Sequence, residues 1–130
     1  GKQLDLYSNE GYYVLVDFLA LWCGPCRHEN PNVVATYKKF KDAKFKGAKG
    51  FKIFSVSLDV NPTAWTGAIA ADGLEWPDHV SDLKGWSSAA AQLYGVNSIP
   101  TNFLLNPKGV IIARGLRGED LGAKLAELTK

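Results

Sequence analysis

The sequence predicts an α/β fold in which a mixed central sheet carries helices on both of its faces. Two observations lead to this prediction. Apolar, strand-like runs alternate with helical patterns in the first half of the chain, and a β-hairpin pattern followed by a helical pattern closes the second half. Alternation favours parallel strands, whereas a hairpin adds antiparallel ones. The length of 130 residues suits one compact unit, so we expect residues 1–130 to form a single domain.

Two strands, each followed by a helix, are predicted in the first half of the chain. Tyr12–Leu21 is a nearly continuous apolar run, which is typical of a strand buried on both faces. A helix is expected over Gly24–Phe45 and a second strand over Phe51–Leu58. The next helix is expected to start at Asn61, a good N-cap residue that precedes a proline, and to end at Gly73.

The second half of the chain has weaker patterns at its start and clear ones at its end. Leu74–Gly85 is expected to be irregular, and a short helix is expected over 87–94. Thr101–Leu105 and Val110–Arg114 flank a turn sequence and predict a hairpin. The closing amphipathic helix is indicated by leucines at helical spacing: Leu121, Leu125 and Leu128.

Charge argues against two classes of partner. The net charge of +2 is too small to indicate binding to nucleic acid or to a membrane surface. Seven lysines and three phenylalanines between residues 38 and 52 could form a nucleic-acid patch, but we interpret the lysines as the solvated face of a helix and its exit loop. No apolar run approaches the length of a membrane span. We therefore expect neither nucleic-acid binding nor membrane insertion.

The chemistry-bearing motif is Trp22-Cys23-Gly24-Pro25-Cys26, which contains both cysteines of the chain. Cysteines three residues apart cannot join distant segments, so a chemical role is more plausible than a structural one. At the start of a helix the two thiols lie on the same face, close enough to form a disulfide with little backbone change.

A helix start also activates the first thiol. Unpaired N–H groups and the positive end of the helix dipole stabilise a thiolate. We therefore expect the pKa of Cys23 to fall below about 8.5, the value of a free thiol. The Cys23 thiolate would attack the disulfide of a substrate, called the client below. Cys26 would then attack the Cys23 sulfur and release the reduced client.

Further motifs stand in order along the chain on both sides of the cysteine pair. The full set is Val14–Phe18, Trp22–Arg27, Glu29, Pro31, Asp59, Tyr94–Val96, Ile99–Thr101, Phe103–Leu105, Asn106–Arg114 and Gly115. Together these motifs resemble those of the thioredoxin superfamily, in particular its TlpA/ResA-like branch of extracytoplasmic thiol–disulfide oxidoreductases. The resemblance covers essentially the whole chain and implies a thioredoxin-like fold.

Two carboxylates are candidate proton carriers. Asp17 stands inside an apolar strand, so burial should raise its pKa. The resemblance implies that Asp17 lies behind Cys26 and relays its proton; the alternative is a tolerated polar residue paired with a lysine or with backbone. The resemblance likewise implies that Glu29 lies near the dithiol and tunes its ionisation; the alternative is a solvent-facing helical glutamate.

The resemblance also implies where a client chain binds. It places a cis peptide at Ile99-Pro100 opposite the dithiol, with the backbone of Ile99 pairing with an extended client segment; the alternative is an ordinary turn before a strand. Trp22 would flank and shield the thiols, or pack in the core. Gly24 and Pro25 would contribute to the same client-binding surface.

Further expectations about partners follow from the resemblance. No cofactor is expected, since sulfur carries the electrons. The partners would be disulfide-bearing client proteins and an upstream thiol reductant. On the same ground, we expect the protein to lie outside the cytoplasm of a bacterium, in the periplasm or on a membrane anchor. We also expect it to be a monomer and to have been trimmed from a longer precursor. The Gly24-Pro25 dipeptide resembles that of reducing members.

Competing interpretations find less support in the sequence. A thiol peroxidase of the same fold would need proline and threonine ahead of its cysteine, where this chain has Val16 and Ala20. A redox-inert binding module would usually lose a cysteine. Zinc binding would have to use His28 and His79 with the two thiols, and His28 is poorly spaced for it.

The chain departs from the family pattern near the predicted site. Ser55 stands where thioredoxins carry a lysine close to the buried aspartate, which removes one partner for Asp17. Asn102 stands where a small or hydroxyl-bearing residue is usual.

Overall fold

The computed structural model describes residues 11–129, apart from residues 21, 75, 77, 82, 84, 86–91, 93 and 97. Secondary structure within the described residues comprises, in chain order, β1 Tyr13–Leu19, α1 Gly24–Phe40, β2 Phe51–Ser57, α2 Pro62–Ala71, β3 Asp78–Val80, β4 Thr101–Leu105, β5 Ile111–Arg114 and α3 Glu119–Leu128.

The strands form one mixed sheet of order β3-β2-β1-β4-β5. Strands β3, β2 and β1 run parallel, and β4 and β5 are antiparallel to their neighbours. All seven residues of β1 are buried, so both faces of this central strand are covered. The predicted α/β class and the predicted hairpin are confirmed.

The central strand carries an acidic residue between two polar neighbours. Asp17 is in register with Ser55 on β2 and with Asn102 on β4. Side chains in register on adjacent strands project from the same face of a sheet. One polar row therefore crosses the middle of the sheet, between the apolar residues of β1.

The first helix is shorter than predicted. It ends at Phe40 and not at Phe45, and the Lys41 N–H makes the last helical bond, to the Tyr37 carbonyl at 2.8 Å. Phe45 is buried in the following loop, with its ring against those of Tyr13, Phe40 and Phe51. Its apolar character therefore reflects core packing and not a further helical turn.

The segment predicted to be irregular contains a short strand. Asp78–Val80 pairs in parallel with β2 at the edge of the sheet. Three residues are too few for alternation to be visible in a sequence, so the pattern gives no sign of this strand. The helix predicted over 87–94 falls mostly outside the described residues.

The N-cap prediction at Asn61 is confirmed. Its side-chain oxygen accepts hydrogen bonds from the N–H groups of Thr63 and Ala64 at 2.8 and 3.1 Å. Gly73 follows α2 with a φ of +63°, the left-handed conformation that favours glycine after a helix.

The lysine-rich segment is a solvated surface, as predicted. Its three phenylalanines lie in the core, which leaves no aromatic ring among them to stack on a base: Phe40, Phe45 and Phe51. None of the helices in the described part of the chain combines the length and apolarity that a membrane crossing requires.

Candidate active site

The dithiol motif lies where β1 leads into α1. Cys23 is the N-cap of α1, with extended backbone angles. Its N–H donates to the Ala20 carbonyl at 3.2 Å, and its carbonyl accepts from the Arg27 N–H at 3.1 Å. Pro25 occupies the first turn, where a missing N–H leaves no helical bond unmade.

The two cysteines form a disulfide across the first turn of the helix, with their Cα atoms 5.3 Å apart. The Cys23 Sγ also accepts a hydrogen bond from the Cys26 N–H at 3.2 Å. Both residues are buried, at 4% exposure for Cys23 and 1% for Cys26. When the bond is reduced, this N–H and the helix dipole are placed to stabilise negative charge on the Cys23 sulfur.

Asp17 is buried in β1, at 4% exposure. Burial first, and the negative charge of Glu29 second, raise the pKa of Asp17 to about 7. The predicted upward shift is therefore present, with the predicted cause. A carboxyl group that titrates near neutral pH can both accept and return a proton in the physiological range.

Glu29 is half-buried one turn beyond Cys26. Its carboxylate accepts hydrogen bonds from the backbone N–H of Gly118 at 3.0 Å and from the side-chain amide of Asn32 at 2.9 Å. It is therefore not the solvent-facing glutamate of the alternative interpretation. The Glu29 carboxylate is held against the loop before α3, and its charge acts on Asp17.

An open groove of about 440 Å³ adjoins the dithiol loop. It brings together four of the predicted site residues, since Gly24, Pro25, Glu29 and Pro100 all line it. The remaining lining residues are His28 and Arg117.

Ile99 and Trp22 are the two other residues that the sequence predicts to contact the client. The Ile99–Pro100 peptide bond is cis; Ile99 is half-buried and Pro100 is buried. Trp22 is 55% exposed beside Cys23, so the core interpretation is wrong for this tryptophan. Trp76, by contrast, is a core residue, and Trp86 lies outside the described residues.

The two histidines have different surroundings. His28 is exposed on α1 and lines the groove. His79 stacks on Trp76, and its Nε2 lies 3.1 Å from the Leu74 carbonyl oxygen. Among the described residues, no group of three or more potential ligands is arranged to hold a metal ion.

Sequence reasoning missed Arg117. Its Nη2 donates a hydrogen bond to the Pro100 carbonyl at 2.5 Å. Arg117 stands in a loop with no recognisable motif, and only the folded chain brings it to the groove. The departure at Asn102 is the one signal in this region, because its side chain binds the backbone of Leu116, the residue before Arg117.

A second unpredicted cluster lies beside the first turns of α1. Asp72, just after α2, accepts hydrogen bonds from Arg27 and from Asn30. Burial opposes ionisation of Asp72, but the hydrogen bonds from Arg27 and Asn30 and the charge of Arg27 leave its pKa below the ordinary value. In the sequence, Arg27 is the last residue of the Trp22–Arg27 motif, and nothing in that motif indicates Asp72 as its partner.

Comparison with known proteins places this site in a family. Residues 11–111 match the family described as thioredoxin-like. The thiol-disulfide oxidoreductase ResA of Bacillus cereus is 30% identical over 130 residues, which cover all of this chain and 69% of ResA. Human nucleoredoxin is 33% identical over 121 residues, which cover 93% of this chain and 26% of nucleoredoxin. The chain therefore spans about a quarter of one relative and two thirds of the other.

Solved structures agree with this assignment. A thiol-disulfide oxidoreductase from Bacteroides fragilis is 39% identical, with a TM-score of 0.81 over 91% of this chain and 82% of that one. The thioredoxin domain of a thiol-disulfide oxidoreductase from Bacteroides vulgatus is 35% identical, with a TM-score of 0.85 over 98% of this chain and 86% of that one. The chain therefore belongs to the thioredoxin-like family, within the group of thiol–disulfide oxidoreductases that includes ResA.

Proposed function

We propose that this domain reduces disulfide bonds of protein clients, with Cys23 as the nucleophile and Cys26 as the resolving thiol. The observation that carries the proposal is the position of Cys23 as the N-cap of α1, where its sulfur accepts the Cys26 N–H. Cys26 lies within the first turn of the helix and is bonded to Cys23. These positions favour attack by the first sulfur and release by the second.

The reaction transfers two electrons from the dithiol of the domain to the disulfide of the client. The Cys23 thiolate attacks one sulfur of the client disulfide, a mixed disulfide forms, and the first client thiolate leaves. Cys26 loses its proton and attacks the Cys23 sulfur, which releases the second client thiolate. The client is then a dithiol and the domain holds the Cys23–Cys26 disulfide. An upstream thiol reductant reverses these steps on the domain.

Asp17 is the proposed proton acceptor for Cys26. A pKa of about 7 lets its carboxyl group exchange protons with a thiol at neutral pH without a large energetic penalty. Glu29 is proposed to act on this step through its charge, because it contributes to the raised pKa of Asp17. Asp17 then acts on the proton directly and Glu29 acts through its charge, and Glu29 also lines the groove.

The client chain is proposed to lie along the groove. Gly24, Pro25 and Pro100 line it, and Ile99 supplies backbone next to Pro100 for pairing with an extended segment. Trp22 is exposed beside Cys23 and offers an apolar contact at the rim. We place the domain outside the cytoplasm of a bacterium, as a monomer, on the resemblance to the ResA group.

Trapping tests the assignment of the two sulfurs. In the Cys26→Ser variant the mixed disulfide at Cys23 should accumulate with a disulfide-bonded client protein, whereas Cys23→Ser should form none. Non-reducing electrophoresis and mass spectrometry measure both. Accumulation in the Cys23→Ser variant instead would reverse the two roles, and accumulation in neither would contradict the function.

The reduction potential tests the direction. A reductase is expected to have a potential below about −180 mV, nearer to the reducing members of the family than to the oxidants. Equilibration with glutathione buffers, followed by alkylation of free thiols, measures it. A potential above that value would contradict the reducing direction while leaving the exchange chemistry intact.

A further inference from the structure

The segment between β5 and α3, Gly115–Gly118, is bound on one side by Asn102. The Asn102 carbonyl accepts the Gly115 N–H at 2.9 Å, and its side-chain oxygen accepts the Leu116 N–H at 2.9 Å. Its amide nitrogen donates to the Leu116 carbonyl at 2.8 Å. Asn102 is 4% exposed, so these hydrogen bonds are sheltered from competing water.

The same segment is bound on its other side by α1. The Gly118 N–H donates to the Glu29 carboxylate at 3.0 Å, and the Asn32 amide donates to the Gly118 carbonyl at 3.0 Å. Asn32 also donates to Glu29 at 2.9 Å. Both neighbours of Arg117 therefore have backbone groups fixed by side chains from β4 and α1.

Arg117 extends from this fixed segment to the Pro100 loop. Its Nη2 donates to the Pro100 carbonyl, and its side chain lines the groove beside Pro25 and His28. Among the described residues, no other hydrogen bond to the backbone of residues 98–100 is found. An arginine suits the role because its planar guanidinium offers several donors in a fixed arrangement.

We propose that Arg117 is a positioning residue for client binding, which holds the Pro100 carbonyl and so fixes the backbone at Ile99–Pro100 on which an extended client chain pairs. The inference rests on the proposed function, since it needs a client that binds along the groove. Fixing this backbone before the client arrives lowers the entropy that binding must overcome. Arg117 is exposed and takes no part in the exchange between sulfurs.

The position of Arg117 predicts a split between two kinds of substrate. A peptide with a disulfide in an extended segment needs the paired backbone, whereas a small uncharged aromatic disulfide such as 2,2′-dithiodipyridine has neither a backbone to pair nor a charge to attract Arg117. Arg117→Met keeps the aliphatic stem and removes the donors. We expect it to raise KM for the peptide about fivefold, with kcat and the rate with the small disulfide unchanged within about twofold.

A matched control is available on β5. Arg114 lies over the Phe103 ring at 5.7 Å and is not among the residues that line the groove, so Arg114→Met removes the same charge without touching the Pro100 carbonyl. It should leave KM and kcat for the peptide, and the rate with the small disulfide, unchanged. Arg117→Lys keeps the charge and one donor group, and should restore part of the peptide KM. The NMR order parameter of the Ile99 amide should fall in Arg117→Met and not in Arg114→Met.

The outcomes separate this inference from the function beneath it. A wild-type domain that reduces both substrates, with an Arg117→Met variant that matches it on both, would overturn the inference alone. Equal losses on both substrates would also overturn it, because Arg117 would then act on the thiol chemistry. A wild-type domain that reduces neither substrate would overturn the inference together with the proposed function.

Discussion

Two aspartates near the first turns of α1 have opposite ionisation behaviour. The Asp17 carboxyl, buried in β1, has a pKa raised to about 7 by burial and by the charge of Glu29. Asp72 is also withdrawn from solvent, with a side chain 13% exposed, but its pKa is lowered. Burial acts in the same direction on both groups, so the difference comes from their partners.

The partners of Asp72 are Arg27 and Asn30, which both donate to one carboxylate oxygen. No hydrogen bond to the Asp17 carboxylate is found among the described residues, and its register neighbours direct their polar groups elsewhere: Ser55 accepts from Trp76, and Asn102 binds Leu116. A buried carboxylate with donors is a structural ion, whereas one without them is kept near its titration point. The comparison therefore separates a group that fixes α1 from one suited to move protons.

The largest expected effect is on catalysis, in the variant Asp17→Asn. The amide fills the same volume but cannot accept the Cys26 proton, so resolution of the mixed disulfide should slow by about a hundredfold at pH 7. Single-turnover release of a fluorescent client from the mixed disulfide measures this step. Asp72→Asn should stay within about twofold of wild type, and equal losses in both variants would contradict the distinction.

The second largest effect is on the free energy of unfolding, which should change with pH in a defined direction. In the oxidised protein Asp17 titrates near 7 in the folded state and near about 3.9 when unfolded, so the folded state holds its proton more tightly. Stability should therefore fall as pH rises from about 4 to about 7, and Asp17→Asn should remove this loss. We expect the variant to be more stable than wild type by about 2–4 kcal/mol at pH 8 and by little at pH 4. Urea unfolding across this range measures it, and a constant difference would contradict the raised pKa.

A smaller effect, of opposite sign, is expected for Asp72→Asn. The neutral amide weakens the hydrogen bonds from Arg27 and Asn30, so the free energy of unfolding should drop by about 1–2 kcal/mol at pH 7. Because the pKa of Asp72 is lowered, its contribution is present above the unfolded pKa and is lost as pH falls through the folded pKa. The loss in the variant should therefore shrink in acid. Asp42→Asn, on an exposed loop position, is the control and should change stability by less than about 0.5 kcal/mol.

The sequence predicted the parts of this site that depend on local pattern. An apolar run, a Cys-x-x-Cys spacing and a helix start are contiguous, so residue order alone locates the dithiol and the buried Asp17. The Arg27–Asp72 pair joins residues 45 positions apart, and Arg117 contacts a carbonyl 17 positions away. Such pairs carry no periodic or spacing signal and exist only once α2 and the loop before α3 have packed.

The wrong end predicted for α1 and the two interpretations left open for Glu29 also arise from contacts between distant residues. Phe45 fits the helical pattern of α1, yet three other rings bury it in the loop that follows. Glu29 allows two interpretations in the sequence because helical spacing alone cannot show which surface a side chain meets. The Gly118 N–H that binds it comes from 89 residues further along the chain.

The smallest expected effect tests the charge that joins Glu29 to Asp17. In Glu29→Gln the side-chain oxygen can still accept from Gly118 and Asn32, so the loop should stay in place while the negative charge is lost. Since that charge raises the pKa of Asp17, the midpoint should move down by about half a pH unit, with burial keeping it well above the ordinary value. Titration of the Asp17 side-chain carboxyl carbon by NMR, on the oxidised protein, measures the midpoint. Glu127→Gln removes an exposed charge paired with Lys124 on α3 and should leave the midpoint in place. An unchanged midpoint in Glu29→Gln would show that burial alone sets the pKa of Asp17, and Glu29 would then be a residue that holds the loop before α3 and has no part in proton control.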